Sequence, residues 1–323
     1  MKLGEILMLK YIFKRLLTAI PVLLIISLGA FLMLQLAPGD AADLYITPDT
    51  TQQQIEATRS ALGLDQPIHI QYIHWLSQVL RGNLGNSFSN SVPVTTILGE
   101  RLGPTLLLMG LSLVVAYLIG IPLGILSGRK NGTWLDSSIT AVSFLGISIP
   151  SFFFGLAMVY IFGVRLGILP TGGMYPLGTT PTFGVIVQHL VMPVIVLASA
   201  YLANMTRYMR ATTIDVYEQN YIRTAVAKGL NSREVYKFHG IRNSLIPVIT
   251  IIGTDLPKLV GGAIVTEQVF SWPGLGSLTM TAIQQRNYPI ILGITLLSAV
   301  VVVVANLLVD VLYVVIDPRI KYD

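Results

Sequence analysis

No cysteine occurs among the 323 residues, so disulfide frameworks, thiolate metal sites, redox pairs and cysteine nucleophiles are excluded. Charge is scarce too: 11% of residues are charged, against roughly 25% in soluble domains, while 53% are apolar. So few charged side chains do not cover a soluble fold of this length, and several runs of more than 20 residues carry no charge at all. The composition is that of an all-α integral membrane protein. Enzyme signatures are missing as well. No Gly-Lys dipeptide occurs, which excludes a phosphate-binding P-loop, and neither Gly-x-Ser-x-Gly nor His-Glu-x-x-His is present. The chain therefore has no ATPase site of its own. Its four histidines, His69, His74, His189 and His239, are scattered, and His69 and His74 lie five apart, a spacing that shares a helix face poorly. No metal site is expected.

What is present is a set of apolar runs. Leu16 to Leu36 has no charge, enough to cross a hydrocarbon core of roughly 30 Å. It is longer than the ~7 to 15 residues of a signal-peptide core, so an uncleaved helix is expected despite Ala41 and Ala42 beyond it. Leu102 to Gly128 and Ser137 to Val164 are each read as one helix. The next uncharged stretch is broken in its first half by Pro170, Gly172, Gly173, Pro176, Gly178, Pro181 and Gly184, which puts the fourth span at Val185 to Met205. Asn243 to Thr266 and Asn287 to Val309 complete six expected spans.

An even number of spans places both termini on one side, and the bases choose that side. Four lie at the N-terminus (Lys2, Lys10, Lys14, Arg15), two in the second connection (Arg129, Lys130), seven between Arg207 and Arg242, and two at the end (Arg319, Lys321). Both termini are expected to be cytoplasmic. The net charge of +5 is thus assigned to retained loops rather than to nucleic-acid binding. The segment from Ala37 to about Leu98 has five acids (Asp40, Asp43, Asp49, Glu56, Asp65) against Arg59 and Arg81. It reads as an acidic outer subdomain, with one helix capped by Thr50 or Thr51 and a second over Pro67 to Leu80.

The basic segment from Arg207 to Arg242 is too long and too patterned for a plain turn. Strong helix formers run from Asp215 to Lys228, and Gly229 interrupts them. Asn231-Ser232-Arg233-Glu234 then reads as a capping box opening a short helix to about His239, ended by Gly240. Val235 and Phe238, three apart, form an apolar knob among bases. That pattern suits either anionic headgroups or the groove of a soluble partner protein. Asp255 and Lys258, also three apart, are placed to pair within the fifth span. Around Trp272-Pro273-Gly274 regular helix is excluded, so a re-entrant or interfacial turn is expected before a helix to about Gln285.

Tyr221-Ile222-Arg223-Thr224-Ala225-Val226-Ala227-Lys228-Gly229-Leu230, followed by Arg242-Asn243-Ser244-Leu245-Ile246-Pro247, resembles the EAA loop of binding-protein-dependent ABC importer permeases. The dipeptide/oligopeptide/nickel family is the most similar. Further stretches carry the resemblance along nearly the whole chain: Arg15 to Asp40, ending in Ala-Pro-Gly-Asp; Leu62 to Pro67; Gly82 to Ser87; and Glu267 to Gly276. The family's Glu-Ala-Ala falls on Arg223, Thr224 and Ala225, so the namesake Glu is absent. Its Gly matches Gly229, whereas its later Pro is not matched, position 242 being Arg.

The resemblance implies a type I importer permease fold of six transmembrane helices in a bacterial or archaeal cytoplasmic membrane. The implied organisation is an N-terminus with first helix (1–36), an outer subdomain (37–98), a permease core (99–312) containing the coupling segment (207–242), and a cytoplasmic tail (313–323). Arg223, Thr224, Ala225, Ala227, Gly229, Glu234, Val235 and Phe238 are the implied ATPase-coupling residues. Glu267, Phe270, Trp272, Pro273, Gly274 and Gly276 are placed near the outer mouth of the pathway. Implied partners are a homologous second permease, two cytoplasmic ATPases holding ATP and magnesium, an extracytoplasmic binding protein and membrane lipid. No cofactor is implied on this chain. The expected cargo is a di- or oligopeptide, with nickel or metal chelates and glutathione as alternatives. An ion-coupled secondary transporter is the rival class, and it would need several intramembrane acids or broken helices at the midplane, for which Asp255 alone is thin support.

Overall fold

The computed structural model describes residues 2–36, 51–61, 65–176, 178–231, 234–245, 248–261 and 263–316, and they are helical apart from turns and an isolated bridge between Asn86 and Pro93. The Ala37 to Asp40 motif, Asp43, Asp49, Leu62 to Leu64, Ser232, Arg233, Pro247 and residues 317–323 lie outside the described residues. In chain order the helices are α1 (Lys2–Gln35), α2 (Gln52–Ala61), α3 (Ile68–Leu80), α4 (Val94–Arg129), α5 (Trp134–Ser148) and α6 (Ser151–Met158). A π-helical stretch, Val159–Arg165, extends α6. Then come α7 (Phe183–Glu218), α8 (Asn220–Ala227) and a second π-helical stretch, Val235–Ile241. The last helices are α9 (Arg242–Leu245), α10 (Val248–Asp255), α11 (Lys258–Gly261), α12 (Ile264–Val269), α13 (Leu275–Gln284) and α14 (Tyr288–Ile316).

Four of the expected spans correspond, to within a residue at their ends, to stretches of α1, α4, α7 and α14, each long and apolar enough to cross a membrane alone. The other two are not single helices. Ser137 to Val164 is divided between α5 and the α6 stretch, which meet at 95°. Pro150 is the cause: it has no amide hydrogen, and it drives Ile149 to an extended backbone at φ −83°, ψ 120°. Asn243 to Thr266 is divided among α9, α10, α11 and the start of α12, with a turn at Leu256 and Pro257. α7, conversely, runs on past Met205 to Glu218, so Arg207 and Arg210 belong to a helix rather than to a connection. The two helices expected before α4 are present, and Thr51 caps α2 reciprocally with Gln54: Gln54 N donates to Thr51 Oγ1 (3.4 Å) and Thr51 N to Gln54 Oε1 (2.9 Å).

The described chain packs as two compact units, residues 2–103 with 278–307 and residues 104–277 with 308–316. In the first, α3 lies on α1: Phe31 meets the rings of Tyr72 and Trp75 at 5.5 and 5.8 Å, and Ser27 Oγ shares a 2.8 Å hydrogen bond with Tyr72 Oη. Asn287, fully buried, donates to Ser87 Oγ (2.9 Å) and accepts from Phe88 N (3.3 Å), which fixes the turn before α4. The second unit is built on a glycine stripe. Gly120, Gly124 and Gly128 bring α4 against α7, where a Cβ on Gly124 would strike Met209 and Thr206, and one on Gly128 would strike Thr213. Around this contact lie Ile125, Met205, Met209 and Val248, with Leu108, Leu190, Val194 and Trp272 forming a second cluster.

Candidate coupling and pathway sites

The basic segment folds back on itself. α7 ends where Gln219 turns extended (φ −69°, ψ 146°), α8 comes next, and Gly229 at φ +79° reverses the chain. Only glycine takes that left-handed conformation without strain, and no atom near Gly229 would clash with a Cβ, so the constraint there is conformational. The capping box forms as the spacing predicts: Glu234 N donates to Asn231 Oδ1 (2.9 Å) and Asn231 N to Glu234 Oε2 (3.2 Å). The stretch after the box is π-helical and continues into α9, so Gly240 does not end it. Gly240 instead lets Tyr217 approach, its hydroxyl oxygen 2.8 Å from where a Cβ would sit.

The knob is a correction. Val235 is buried against Ile222 and Ala225 and closes the hairpin from inside, while Phe238 is 58% exposed. The two therefore do not project together, because the π-helical advance separates positions three apart that an α-helix would align. The outward apolar side chains include Val226, Leu230 and Phe238 beside Tyr221, with Arg223, Thr224 and Ala227 also exposed. Ala225 is interior. Val226 and Leu230 were not singled out from the sequence, although both lie within the EAA-like stretch. Arg129, at the end of α4, stacks on the Tyr236 ring at 4.1 Å and ties the hairpin to the helix beneath it.

A polar group was not singled out from the sequence either. Asp136, buried in the first turn of α5, accepts from Ser127 Oγ (2.5 Å), Gly132 N (3.0 Å), Arg210 Nε (2.6 Å) and Arg210 Nη2 (2.8 Å). Arg210 Nη2 also donates to Asn131 Oδ1 (3.0 Å). This clamp holds the α4–α5 turn to α7. Within the apolar stretch, Lys258 Nζ donates to Asp255 Oδ1 (2.7 Å), and Tyr117 Oη of α4 donates to Asp255 Oδ2 (2.6 Å). Asp255 is 7% exposed, whereas the Lys258 side chain is 57% exposed.

The residues expected near the outer mouth are buried within their own unit. Glu267 and Trp272 have no exposed surface and Phe270 has 2%. Thr105 Oγ1 donates to Glu267 Oε1 (3.0 Å) and accepts from Leu275 N (2.7 Å), while Ser277 N donates to Glu267 Oε2 (2.8 Å). Trp272 Nε1 donates to the Pro104 carbonyl (3.0 Å), and the Phe270 carbonyl accepts from Gly173 N (2.7 Å). Gly274 and Gly276 border the Glu267 carboxyl, and a Cβ on Gly274 would collide with it. Pro273 is half-buried between them. The expected turn and the helix after it, α13, are both present. Among the described residues, no three His, Asp or Glu side chains are set to hold a metal ion.

A family model described as binding-protein-dependent transport system inner membrane component matches residues 120–322, and the model of its N-terminal part matches residues 8–109. The oligopeptide transport system permease protein AppB of Bacillus subtilis (strain 168) is 44% identical over 97% of this chain and 99% of its own length. The glutathione transport system permease protein GsiC of Salmonella typhimurium is 40% identical over 98% of this chain and 100% of its own length. Among solved structures, a chain of the MetNI methionine ABC transporter in inward-facing conformations aligns with TM-score 0.54 at 16% identity, covering 69% of this chain and 97% of that one. A chain of an amino acid ABC transporter with histidines gives TM-score 0.52 at 15% identity, over 68% and 94%. These two likenesses concern the fold.

Proposed function

The chain belongs to the family of binding-protein-dependent transport system inner membrane components, and on that premise we propose that it is one permease subunit of an ATP-driven importer of peptides. The observation that carries the reading is the near-full-length likeness to an oligopeptide permease, together with a basic hairpin that is packed inside and apolar at its tip. Glutathione, itself a tripeptide, falls within the same substrate chemistry. The six crossings are α1, α4, the bent α5–α6 pair, α7, the broken α9 to α12 stretch, and α14, with both termini cytoplasmic. A homologous second permease completes the pathway, two ATPases bind ATP and magnesium, and an extracytoplasmic protein delivers the cargo.

The mechanism is alternating access. Closure of the ATPases pushes on Val226, Leu230 and Phe238, and the packed interior of the hairpin passes the displacement to α7 and, through Arg129 on Tyr236, to α4. No covalent step occurs on this chain.

The assembled importer in proteoliposomes should take up labelled dialanine or tetra-alanine only with internal ATP and external binding protein. Uptake driven by an ion gradient without ATP would overturn the reading. The hairpin supplies a finer test. Phe238→Ala should strip ATPases from the purified permease while leaving the hairpin as resistant to limited proteolysis as before. Val235→Ala should expose the hairpin to protease, since two buried carbons are lost at ~0.8 kcal/mol each. The reverse pattern would mean that Val235 is the contact.

A further inference from the structure

Lys258 sits where the backbone is broken. α10 ends at Asp255 and α11 begins at Lys258, and between them Pro257 has no amide hydrogen to continue the ladder. Within an apolar membrane segment, broken helix is stable only where protein buries it or water fills the space beside it. Asp255 is on the protein side, held by Tyr117 and Lys258. Lys258 is on the other: its side chain is 57% exposed, and among the described residues Asp255 is the sole acceptor of its three-donor ammonium. Hydrocarbon does not accommodate an ammonium with unfilled donors, so the exposed side of Lys258 is assigned to water rather than to lipid.

We propose that Lys258 is a pathway-facing cation that receives the free carboxylate of the transported peptide at the Leu256–Pro257 break; this rests on the peptide-importer reading above. Asp255, itself held by Tyr117, aims the ammonium and partly offsets its charge. The cargo carboxylate is thus attracted yet released, as a transit site requires. Electrostatic balance also explains why Asp255 needs its second donor: with Tyr117 on Oδ2, the carboxylate stays satisfied while Lys258 turns toward the cargo.

The chain's lack of cysteine makes the test direct. Lys258→Cys is assembled into the full importer, with its other subunits made cysteine-free, and treated with aminoethyl, sulfonatoethyl or uncharged methyl methanethiosulfonate. The thiol should react with the water-soluble reagents, and dialanine should slow that reaction several-fold while its C-terminal amide does not. Uptake of dialanine should fall at least tenfold in Lys258→Cys, return with the aminoethyl adduct, and stay low with the sulfonatoethyl or methyl adduct. No reaction, equal protection by the amide, or equal rescue by the methyl adduct would each overturn the proposal. Lys258→Met guards against a folding defect: a complex that assembles normally but loses dialanine uptake supports the site, whereas one that fails to assemble assigns Lys258 to structure and overturns it. Failure of the peptide reading looks different, because the unsubstituted importer would then take up no peptide while the thiol still reacted.

Discussion

Glu267→Ala should yield almost no folded permease, whereas Glu267→Gln should fold with a lowered unfolding temperature. The fully buried carboxyl group organises Thr105, Leu275 and Ser277 through one relay, so removing it leaves the Thr105 hydroxyl and the Ser277 amide without those acceptors. Each buried group left unsatisfied costs about 1–3 kcal/mol, and a cavity adds to that. Glutamine can keep one oxygen on the Ser277 amide and offer its NH2 to Thr105 Oγ1, which retains accepting capacity. Gly274→Ala should be nearly as damaging, because the new methyl enters the space of the Glu267 carboxyl. Combining Gly274→Ala with Glu267→Ala relieves that collision, so the double variant should lose less than the sum of the singles. Folded yield by size exclusion and unfolding temperature in nanodiscs decide the matter. Normal yield for Glu267→Ala would mean that the relay is dispensable.

Asp136→Ala should come next in severity, and Arg210→Lys should recover little of what Arg210→Ala loses. The guanidinium reaches Asp136 with both Nε and Nη2 and uses Nη2 again on Asn131, a fork that a single ammonium cannot reproduce. Removing one partner of a buried pair costs about 3–5 kcal/mol, and with Arg210 31% exposed the lower end applies. Asp136→Leu combined with Arg210→Met removes both charges and fills the space, so it should be closer to the unsubstituted chain than Asp136→Ala. Comparison of unfolding temperatures across the four variants checks this, and a value for Arg210→Lys equal to that of the parent would show that the fork does not matter.

Membrane class, four continuous spans, both pre-α4 helices, the capping box at Asn231 and Glu234, and the reversal at Gly229 were legible because each depends on neighbours a few residues apart. Runs of apolar residues, cap spacing and the φ preference of glycine are local quantities. Val235 and Phe238 show where that reasoning stops. Their spacing is the same in an α-helix and in a π-helical stretch, but the side-chain directions differ, and only the tertiary structure shows Val235 packed on Ile222 and Ala225 of the other arm while Phe238 points outward. The 95° bend at Pro150 and the break at Pro257 have visible prolines, yet a proline kinks some helices and ends others according to what packs around it.

By itself the sequence determined that this is a polytopic α-helical membrane chain, and that its long basic segment resembles the loop of importer permeases. Tertiary structure alone decided which charges are partners and which face outward. Asp136 and Arg210 are 74 residues apart, Thr105 and Glu267 162 apart, and Tyr117 and Asp255 138 apart. Such pairs form only after helices dock, since loop closure must precede the contact and the approach is set by small residues such as Gly124 and Gly128 on a facing helix. Burial then separates the two: Glu267, with no surface, is a joint, while Lys258, more than half exposed beside a broken helix, is the group proposed above to meet a ligand.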